Sequence, residues 1–506
     1  MLRKVVDYLA SGFEDQPVFF FFFFFLNISV CLPFLLQVVT ESFGATIHAV
    51  GASQLTDSVI RRSKRMMLDT LGVGLLGSRT DVVNKALKYS QLFQSDEKSS
   101  IWGKSDVTAP PHFAAFVNGV AVHSMDFDDT WYPATHPSGA VLAALLALAE
   151  VTPTRPSGVD LLLAFNVGIE VQGRLLRFSR EAFNIPKRFH PPSVVGVMGS
   201  AAASAKLLGL SSRQCANALA IAACSAGAPL ANAATQTKPL HMGYAAQRGL
   251  EAARLAQMGL EGNPAILDVE YGFGVYYEDY NPSVMTLPGV GGSGWVLEEQ
   301  DVAFKRLPAH LGMHWVVDAA LTARAKIPNL DVGQIKRIIL QVPPSKYIDC
   351  PYPTTEHQAR HSFQFNACSA ILDASLSVGS FSKVQMERPD LKELLGKVQV
   401  HVPGDNQASF EKMYSEVVIE TYQGESFSAR CDSFYGHWRK PLKQEDLVDK
   451  FMANASLVLS SEGAEGVLHT IGNMETETEC TALHSYIRMT TEHDHRYGLR
   501  ALSQSG

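Results

Sequence analysis

Residues 120–139 hold the densest group of reactive side chains in the sequence, with three aspartates, two histidines and several hydroxyls. They lie between two apolar runs, residues 113–122 and 140–150, that are typical of buried helices. Buried carboxylates and imidazoles cost several kcal/mol unless they are paired or used. The segment is therefore either an internal hydrogen-bond network or the floor of a site that carries out acid–base chemistry.

Four further segments carry histidine or lysine next to proline and apolar residues. In chain order they read PKRFHPPS (residues 186–193), ATQTKPLH (234–241), FKRLPAH (304–310) and SFYGHWRKP (433–441). Together with HSMDFDDTWYPATHPSG at residues 123–139, these motifs resemble the MmgE/PrpD (2-methylcitrate dehydratase) family. The resemblance extends over residues 38–470.

This resemblance implies both a fold and a reaction. The fold would be a large helical domain with a smaller α+β lid, and the site would lie between them. The reaction would be that of a lyase that decarboxylates cis-aconitate to itaconate and CO2. The residues placed in the site by motif match are Asp126, Thr130, His136, His190, Lys238, Lys305, His310 and Tyr347.

The chemistry explains why an acid is needed. Loss of CO2 from the methylene arm of cis-aconitate pushes electrons onto the carbon next to another carboxylate, and the resulting allylic carbanion must be protonated. We expect His136 to donate this proton, with Asp126 and Thr130 orienting the imidazole or the substrate.

The same chemistry needs cations for a substrate with three carboxylates. Lys238 and Lys305 would hold the remaining carboxylates and stabilise the added charge. His190 and His310 would bind carboxylate or shuttle protons, and Tyr347 would close the site from the lid.

Each role has a structural alternative. The aspartates could cap the next helix or pair with arginines, and His136 or His190 could be satisfied interior histidines. Lys238 could be a surface lysine, and Lys305 could form a solvated pair with Arg306. The convergence of five motifs on carboxylate chemistry favours the catalytic interpretation.

Three other histidines, His123, His361 and His437, are interpreted as structural. His361 could instead face the lid cleft together with Arg360.

The sequence predicts no metal and no cofactor. Asp126, Asp128 and Asp129 are similar to the aspartate-rich Mg²⁺ loops of isoprenoid synthases, but that site needs a second acidic cluster, and we find none in the sequence. The sequence also lacks H-E-x-x-H, a P-loop and a G-x-G-x-x-G that joins a strand to a helix. Cofactor-free catalysis is expected because the departing CO2 leaves its electrons conjugated with a carboxylate.

Length and composition set further limits. A chain of 506 residues predicts two domains, and 46% hydrophobic residues support a large core. A net charge of -7 without a basic tract argues against nucleic-acid binding. The seven cysteines include no C-x-x-C pair, so we expect reduced thiols and no zinc or disulfide framework.

Periodicity predicts a mainly α fold with an α+β insert. Helical spacing runs from about Leu55 to about residue 330, with caps at Thr56 and Ser157. Two strands and a hairpin follow, at residues 335–342, 397–402 and 417–428. The predicted divisions are an extension (1–44), a large all-helical domain (45–298 and 433–470), a smaller α+β lid domain (299–432) and a disordered tail (471–506).

The N-terminal segment contains seven consecutive phenylalanines and has three interpretations. It could be a membrane anchor or a secretory signal. The favoured interpretation is that residues 5–37 come from an intron retained in the gene model, because joining Lys4 to Val38 restores a start similar to that of the family.

The expected partners follow from the resemblance. They are a small tricarboxylate substrate and a second copy of the chain, in a mitochondrial homodimer, with no nucleic acid and no membrane unless the N-terminal segment is real. Two alternative functions remain open. One is a dehydratase of 2-methylcitrate or a similar tricarboxylate, and the other is a non-catalytic, membrane-tethered interaction protein.

Overall fold

The computed structural model describes residues 39–183, 186–282, 294–327, 330–345 and 348–491. The segment 5–37 and Tyr347 lie outside these ranges. None of the helices in these ranges has both the length and the hydropathy that a membrane span requires.

Helices make up most of the described chain. Their bounds are α1 Val39–Ala49, α2 Asp57–Gly77, α3 Asp81–Ser90, α4 Pro111–His123, α5 Ser138–Ala149, α6 Gly158–Leu176, α7 Pro191–Val194, α8 Gly196–Leu207, α9 Ser212–Ala223, α10 Lys238–Gln257, α11 Val296–Glu299, α12 Met313–Arg324, α13 Glu356–Ala359, α14 Phe363–Asp373, α15 Lys383–Met386, α16 Pro389–Leu395, α17 Gln444–Ala455, α18 Ser461–Gly472 and α19 Thr481–Tyr486.

The helix starts follow from local chemistry. The Thr56 hydroxyl accepts a hydrogen bond from the main-chain N–H of Val59 at 3.3 Å, and Ser157 forms a capping box with Asp160. Both predicted caps are confirmed. Every residue of α5 is buried, as its continuous apolar sequence predicts.

A four-stranded sheet forms the β part of the fold. The strands are β3 Ile335–Gln341, β4 Val398–His401, β5 Ser415–Thr421 and β6 Ser426–Cys431, and a separate small pair joins β1 Ser99–Ser100 to β2 Thr108–Ala109. The sheet order is β4-β3-β5-β6. β3 runs parallel to β4 and antiparallel to β5, and β5 and β6 form the predicted hairpin.

Two large hydrophobic cores account for most of the buried apolar side chains in the described ranges, and a third, smaller cluster contains Ala134, Leu311 and Phe410. The first contains side chains from Val39 to Phe304 and again from Leu442 to Ile487, and the second contains side chains from Leu307 to Ala429. The helical core is thus interrupted by an α+β unit in the middle of the sequence. The predicted fold class, mainly α with an α+β insert, is confirmed.

Close helix packing depends on glycine at two positions of α2. A Cβ atom on Gly77 would lie 1.9 Å from the main-chain oxygen of Ala121, and one on Gly72 would lie 3.0 Å from the ring of Phe451. Because glycine has a hydrogen atom in place of a side chain at these positions, α4 and α17 can pack directly against the backbone of α2.

The prediction of a disordered tail from residue 471 is wrong for residues 471–491. There α18 ends, α19 forms, and Cys480, Leu483 and Ile487 are buried. The main-chain oxygen of Ile487 accepts a hydrogen bond from the N–H of Gly103 at 2.9 Å. A few apolar residues at helical spacing pack in the first core. Because the composition of the segment is polar on average, composition alone did not indicate that these residues are buried.

Two predicted boundaries also shift. Residues 39–44 are not an extension, because they belong to α1, which buries Val39 and Phe43. Asp268 accepts hydrogen bonds from the main-chain N–H groups of residues 39 and 40, at 2.6 and 3.2 Å, and so caps this helix from a distant part of the sequence. At the other boundary, Phe304 still packs in the first core, so the chain passes between cores after residue 304 rather than at 299.

Candidate active site

The loop between α4 and α5 places three carboxylates inside the protein. Asp126, Asp128 and Asp129 are all buried. Asp126 adopts a left-handed backbone with φ of 53°, which is uncommon for a residue with a side chain. Its surroundings must therefore hold it in place.

Two lysines contact the carboxylate of Asp126. Lys305 donates from Nζ to Oδ1 at 2.6 Å and to the main-chain oxygen of Asp126 at 2.8 Å. Lys238, the first residue of α10, donates from Nζ to Oδ2. Burial alone would raise the pKa of Asp126, but the two ammonium groups outweigh it and hold the pKa well below its usual value. Two ammonium groups and one carboxylate leave this lysine cluster with a net positive charge.

His361 joins the lysine cluster from the second core. Its Nε2 lies 3.2 Å from Oδ2 of Asp126 and 3.3 Å from Nζ of Lys238. Its Nδ1 lies 2.8 Å from the main-chain oxygen of His357, an acceptor, so Nδ1 carries a proton. Interpreting His361 as structural missed these contacts. The signal that could have found it was its position beside Arg360, within reach of the lid cleft.

Asp128 organises a second cluster with two imidazoles. Its Oδ2 lies 2.9 Å from Nδ1 of His123 and 3.2 Å from Nδ1 of His136. Nδ1 of His136 also lies 3.0 Å from the main-chain oxygen of Asp129, so this nitrogen is the N–H and Nε2 is the atom that can exchange a proton. Burial lowers the pKa of His136 to about 4 despite the neighbouring carboxylate.

Two more predicted histidines belong to the same region. Nδ1 of His190 lies 3.2 Å from Nδ1 of His241. Nδ1 of His310 accepts a hydrogen bond from the main-chain N–H of Gly312 at 3.1 Å, so the neutral ring carries its proton on Nε2. Burial lowers the pKa of both His190 and His310 well below the usual value.

Asp129 and Thr130 complete the loop. Burial raises the pKa of Asp129 well above its usual range, and a hydrogen bond from Ser138 at 2.5 Å does not offset this shift. Thr130 exchanges main-chain hydrogen bonds with Ala303 at 2.7 and 2.9 Å, which ties the loop to the segment that carries Lys305. The hydroxyl of Thr130 is buried and has no hydrogen-bond partner among the described residues.

A cleft opens where the two cores meet, and five of the eight predicted site residues line it. Its polar wall consists of Thr130, Thr135, His136, His190, Lys238 and His310, and its apolar wall consists of Ala134, Pro186, Pro191, Leu230, Ala233, Leu311 and Phe410. Lys305 is fully buried and lies behind Asp126 rather than on the wall. Asp126 does not line the cleft either, but it contacts Lys238, which does. Tyr347, the eighth predicted residue, lies outside the described ranges.

The site also contains donors that could hold a metal. Single ligand atoms of His123, His136 and His190 lie within 4.8 Å of one another, as do those of Asp126, Asp128 and His136. The sequence predicted no metal site, and the histidine group exists because the fold brings His190 next to His123 and His136. In the second set both carboxylates already contact ammonium or imidazole groups, so a cation there would have to displace internal partners.

Comparison with known proteins adds an independent line of evidence. The model of the MmgE/PrpD N-terminal domain matches residues 41–284, and that of the C-terminal domain matches residues 307–475. The chain is 55% identical over 460 residues to a cis-aconitate decarboxylase from Homo sapiens, covering 90% of this chain and 95% of that protein. It is 52% identical over 476 residues to one from Mus musculus, covering 93% and 97%. A cis-aconitate decarboxylase from Aspergillus terreus is 23% identical over 455 residues, covering 86% and 92%.

Proposed function

This chain belongs to the MmgE/PrpD family, and from that premise we propose that it is a carboxy-lyase that converts cis-aconitate to itaconate and CO2. The observation that carries the proposal is the buried, net positive lysine cluster, which faces a cleft lined by imidazoles. Such a cleft fits a small substrate with several carboxylates.

The lysine cluster accounts for substrate binding. An isolated ammonium is costly to bury, and Asp126 lowers that cost for Lys238 while fixing the direction of Nζ. Lys305 supplies a second positive charge behind the carboxylate of Asp126. A carboxylate of the incoming substrate therefore neutralises the positive charge that Asp126 leaves uncompensated. Lys238 lines the cleft and binds the substrate directly, whereas Lys305 acts through Asp126.

The same charge lowers the barrier of the reaction. Breaking the bond between the methylene carbon and its carboxylate releases CO2 and leaves the electron pair in an allylic system conjugated with a remaining carboxylate. Lys238 is already placed when this charge develops, so little reorganisation is needed. Protonation of the carbon at the far end of the allylic system gives itaconate, and each turnover consumes one proton.

His136 supplies that proton. Its Nδ1–H is tied to the main-chain oxygen of Asp129, so the transferable proton must sit on Nε2 of the imidazolium. The pKa of about 4 refers to the empty site, and the negative charges of a bound tricarboxylate raise it by favouring the protonated ring. Thr130 offers its hydroxyl to the substrate from the neighbouring wall.

Turnover of cis-aconitate in D2O tests the reaction and its protonation step together. Itaconate carrying one new deuterium on the methylene carbon next to a carboxylate is expected, read by mass spectrometry and proton NMR. A hydrated product would instead identify a dehydratase of the same family, and no turnover would favour a non-catalytic protein. Lys383→Ala, an exposed change on α15, is the matched control.

The assembly and location of the enzyme are part of the proposal. We propose a mitochondrial homodimer that needs no cofactor. Exposed apolar side chains on and just after α10, including Tyr244, Leu255 and Met258, support a subunit contact on the helical core. Sedimentation at several protein concentrations tests the dimer, and imaging of the tagged protein in cells tests the location.

A further inference from the structure

A second buried ion pair lies next to the catalytic loop. Lys450 on α17 places Nζ 2.7 Å from Oδ1 of Asp69 on α2, and both side chains are more than nine-tenths buried. Close packing of the two helices at Gly72 and Phe451 brings this lysine into the interior. None of the motifs in the sequence includes either member of the pair.

Lys450 also contacts the loop directly. Its Nζ donates to the main-chain oxygen of Phe127 at 3.0 Å and lies 4.0 Å from the centroid of the Phe127 ring. Lys305 contacts the main-chain oxygen of Asp126 in the same way at 2.8 Å. Two successive carbonyl groups of the loop are therefore each held by a buried ammonium.

Stability alone is a poor explanation for this ion pair. Replacing a buried pair by apolar residues is often neutral or stabilising, because two charges no longer have to leave water. Here burial raises the pKa of Asp69 and lowers that of Lys450, because removal from water disfavours both charged forms. What an apolar pair would lose is the hydrogen bond to Phe127.

We propose that Lys450, with Asp69 as its counterion, is a positioning residue for the decarboxylation. By fixing the carbonyl of Phe127, it holds the adjoining Asp126 in its left-handed conformation and so directs that carboxylate to Lys238. Its effect on turnover rests on the proposed function, whereas its effect on the loop does not.

The test compares a double change to the pair with a change elsewhere. Lys450→Met combined with Asp69→Leu removes both charges and the donor to Phe127. Lys383→Ala, on the exposed surface of α15, is the matched control for the loss of a lysine. We expect the double variant to keep its Tm while kcat falls about a hundredfold, the scale expected when reactive groups are misplaced by about 1 Å. The control should keep kcat within about threefold of wild type.

A crystal structure of the double variant provides a readout that does not depend on activity. The expected result is a changed backbone at Asp126 with its contact to Lys238 lost. An unchanged φ at Asp126, or wild-type kcat in the folded double variant, overturns the inference. If wild-type protein fails to turn over cis-aconitate, the proposed function fails and the loop structure still decides the role of Lys450. Should the double variant not fold, Lys450→Met in the Asp69→Asn background makes the same comparison.

Discussion

Lys238→Met is the substitution that most directly tests the electrostatic mechanism. The methionine keeps most of the side-chain volume and removes the ammonium that lines the cleft. Asp126 keeps Lys305 as a partner through two contacts, so the change leaves no buried carboxylate without a counterion. We therefore expect the variant to fold with a Tm close to that of wild type.

The expected loss can be estimated from charge. Two opposite unit charges 4 Å apart interact by about 4 kcal/mol at an effective dielectric constant of about 20. Removing one donor that stabilises a developing anion typically costs about 2.7–4 kcal/mol, or about 10²–10³ in kcat. Without Lys238 the lysine cluster loses its net positive charge, while Lys305 still holds Asp126. We expect kcat to fall at least about a hundredfold.

The assay is the steady-state production of itaconate, with kcat and KM measured separately. If Lys238 acts mainly on the developing charge, kcat falls more than KM rises. Lys383→Ala, on the exposed surface of α15, should leave both parameters unchanged and controls for the loss of any lysine. A folded Lys238→Met protein with near-wild-type kcat and KM would refute the electrostatic role.

Four further predictions follow from the same site. His136→Ala should lower kcat about a hundredfold or more, the usual scale for loss of a general acid, with little change in Tm. Full activity in this variant would show that another histidine donates the proton. In wild type, kcat/KM should fall as pH rises above about 4, the pKa of His136 in the empty site, and kcat should fall at a higher pH because bound substrate raises that pKa; identical pH profiles for the two parameters would contradict this. Acid should destabilise the protein between about pH 6.5 and 4. The histidines with a pKa of about 4 in the folded protein are His136, His241, His357 and His437, so the unfolded state binds more protons over this range. A Tm that does not fall between these pH values would argue against the burial of these histidines. Dialysis against a strong chelator should leave activity unchanged, and activity that is lost and then restored by Mg²⁺ would revive a metal mechanism.

Residues 5–37 give a prediction about the gene. A protein in which Lys4 is joined to Val38 should fold and remain active, since the resemblance to the family resumes at Val38 and the predicted site residues all lie after it. Sequencing of cDNA across the two codons tests whether the segment is translated. Continuous reads through the phenylalanine run, together with a shortened protein that fails to fold, would show that the segment belongs to the molecule.

The sequence by itself determined the local structure and the chemical inventory. A continuous apolar run located α5, hydroxyl side chains located the starts of α2 and α6, and short strand-like runs with a turn located the sheet, because each signal depends on residues a few positions apart. The motifs likewise selected Asp126, His136 and Lys238 through their resemblance to the family, and these residue types fit carboxylate chemistry.

The tertiary structure decided which atoms meet. Lys238 and Lys305 reach Asp126 across 112 and 179 positions of sequence, and Lys450 reaches Phe127 across 323. No local pattern encodes such pairings, because they depend on how helices from distant segments pack. The same packing placed His361 in the lysine cluster and moved Lys305 behind Asp126, so residue type predicted the chemistry of the cleft and burial determined which side chains line it.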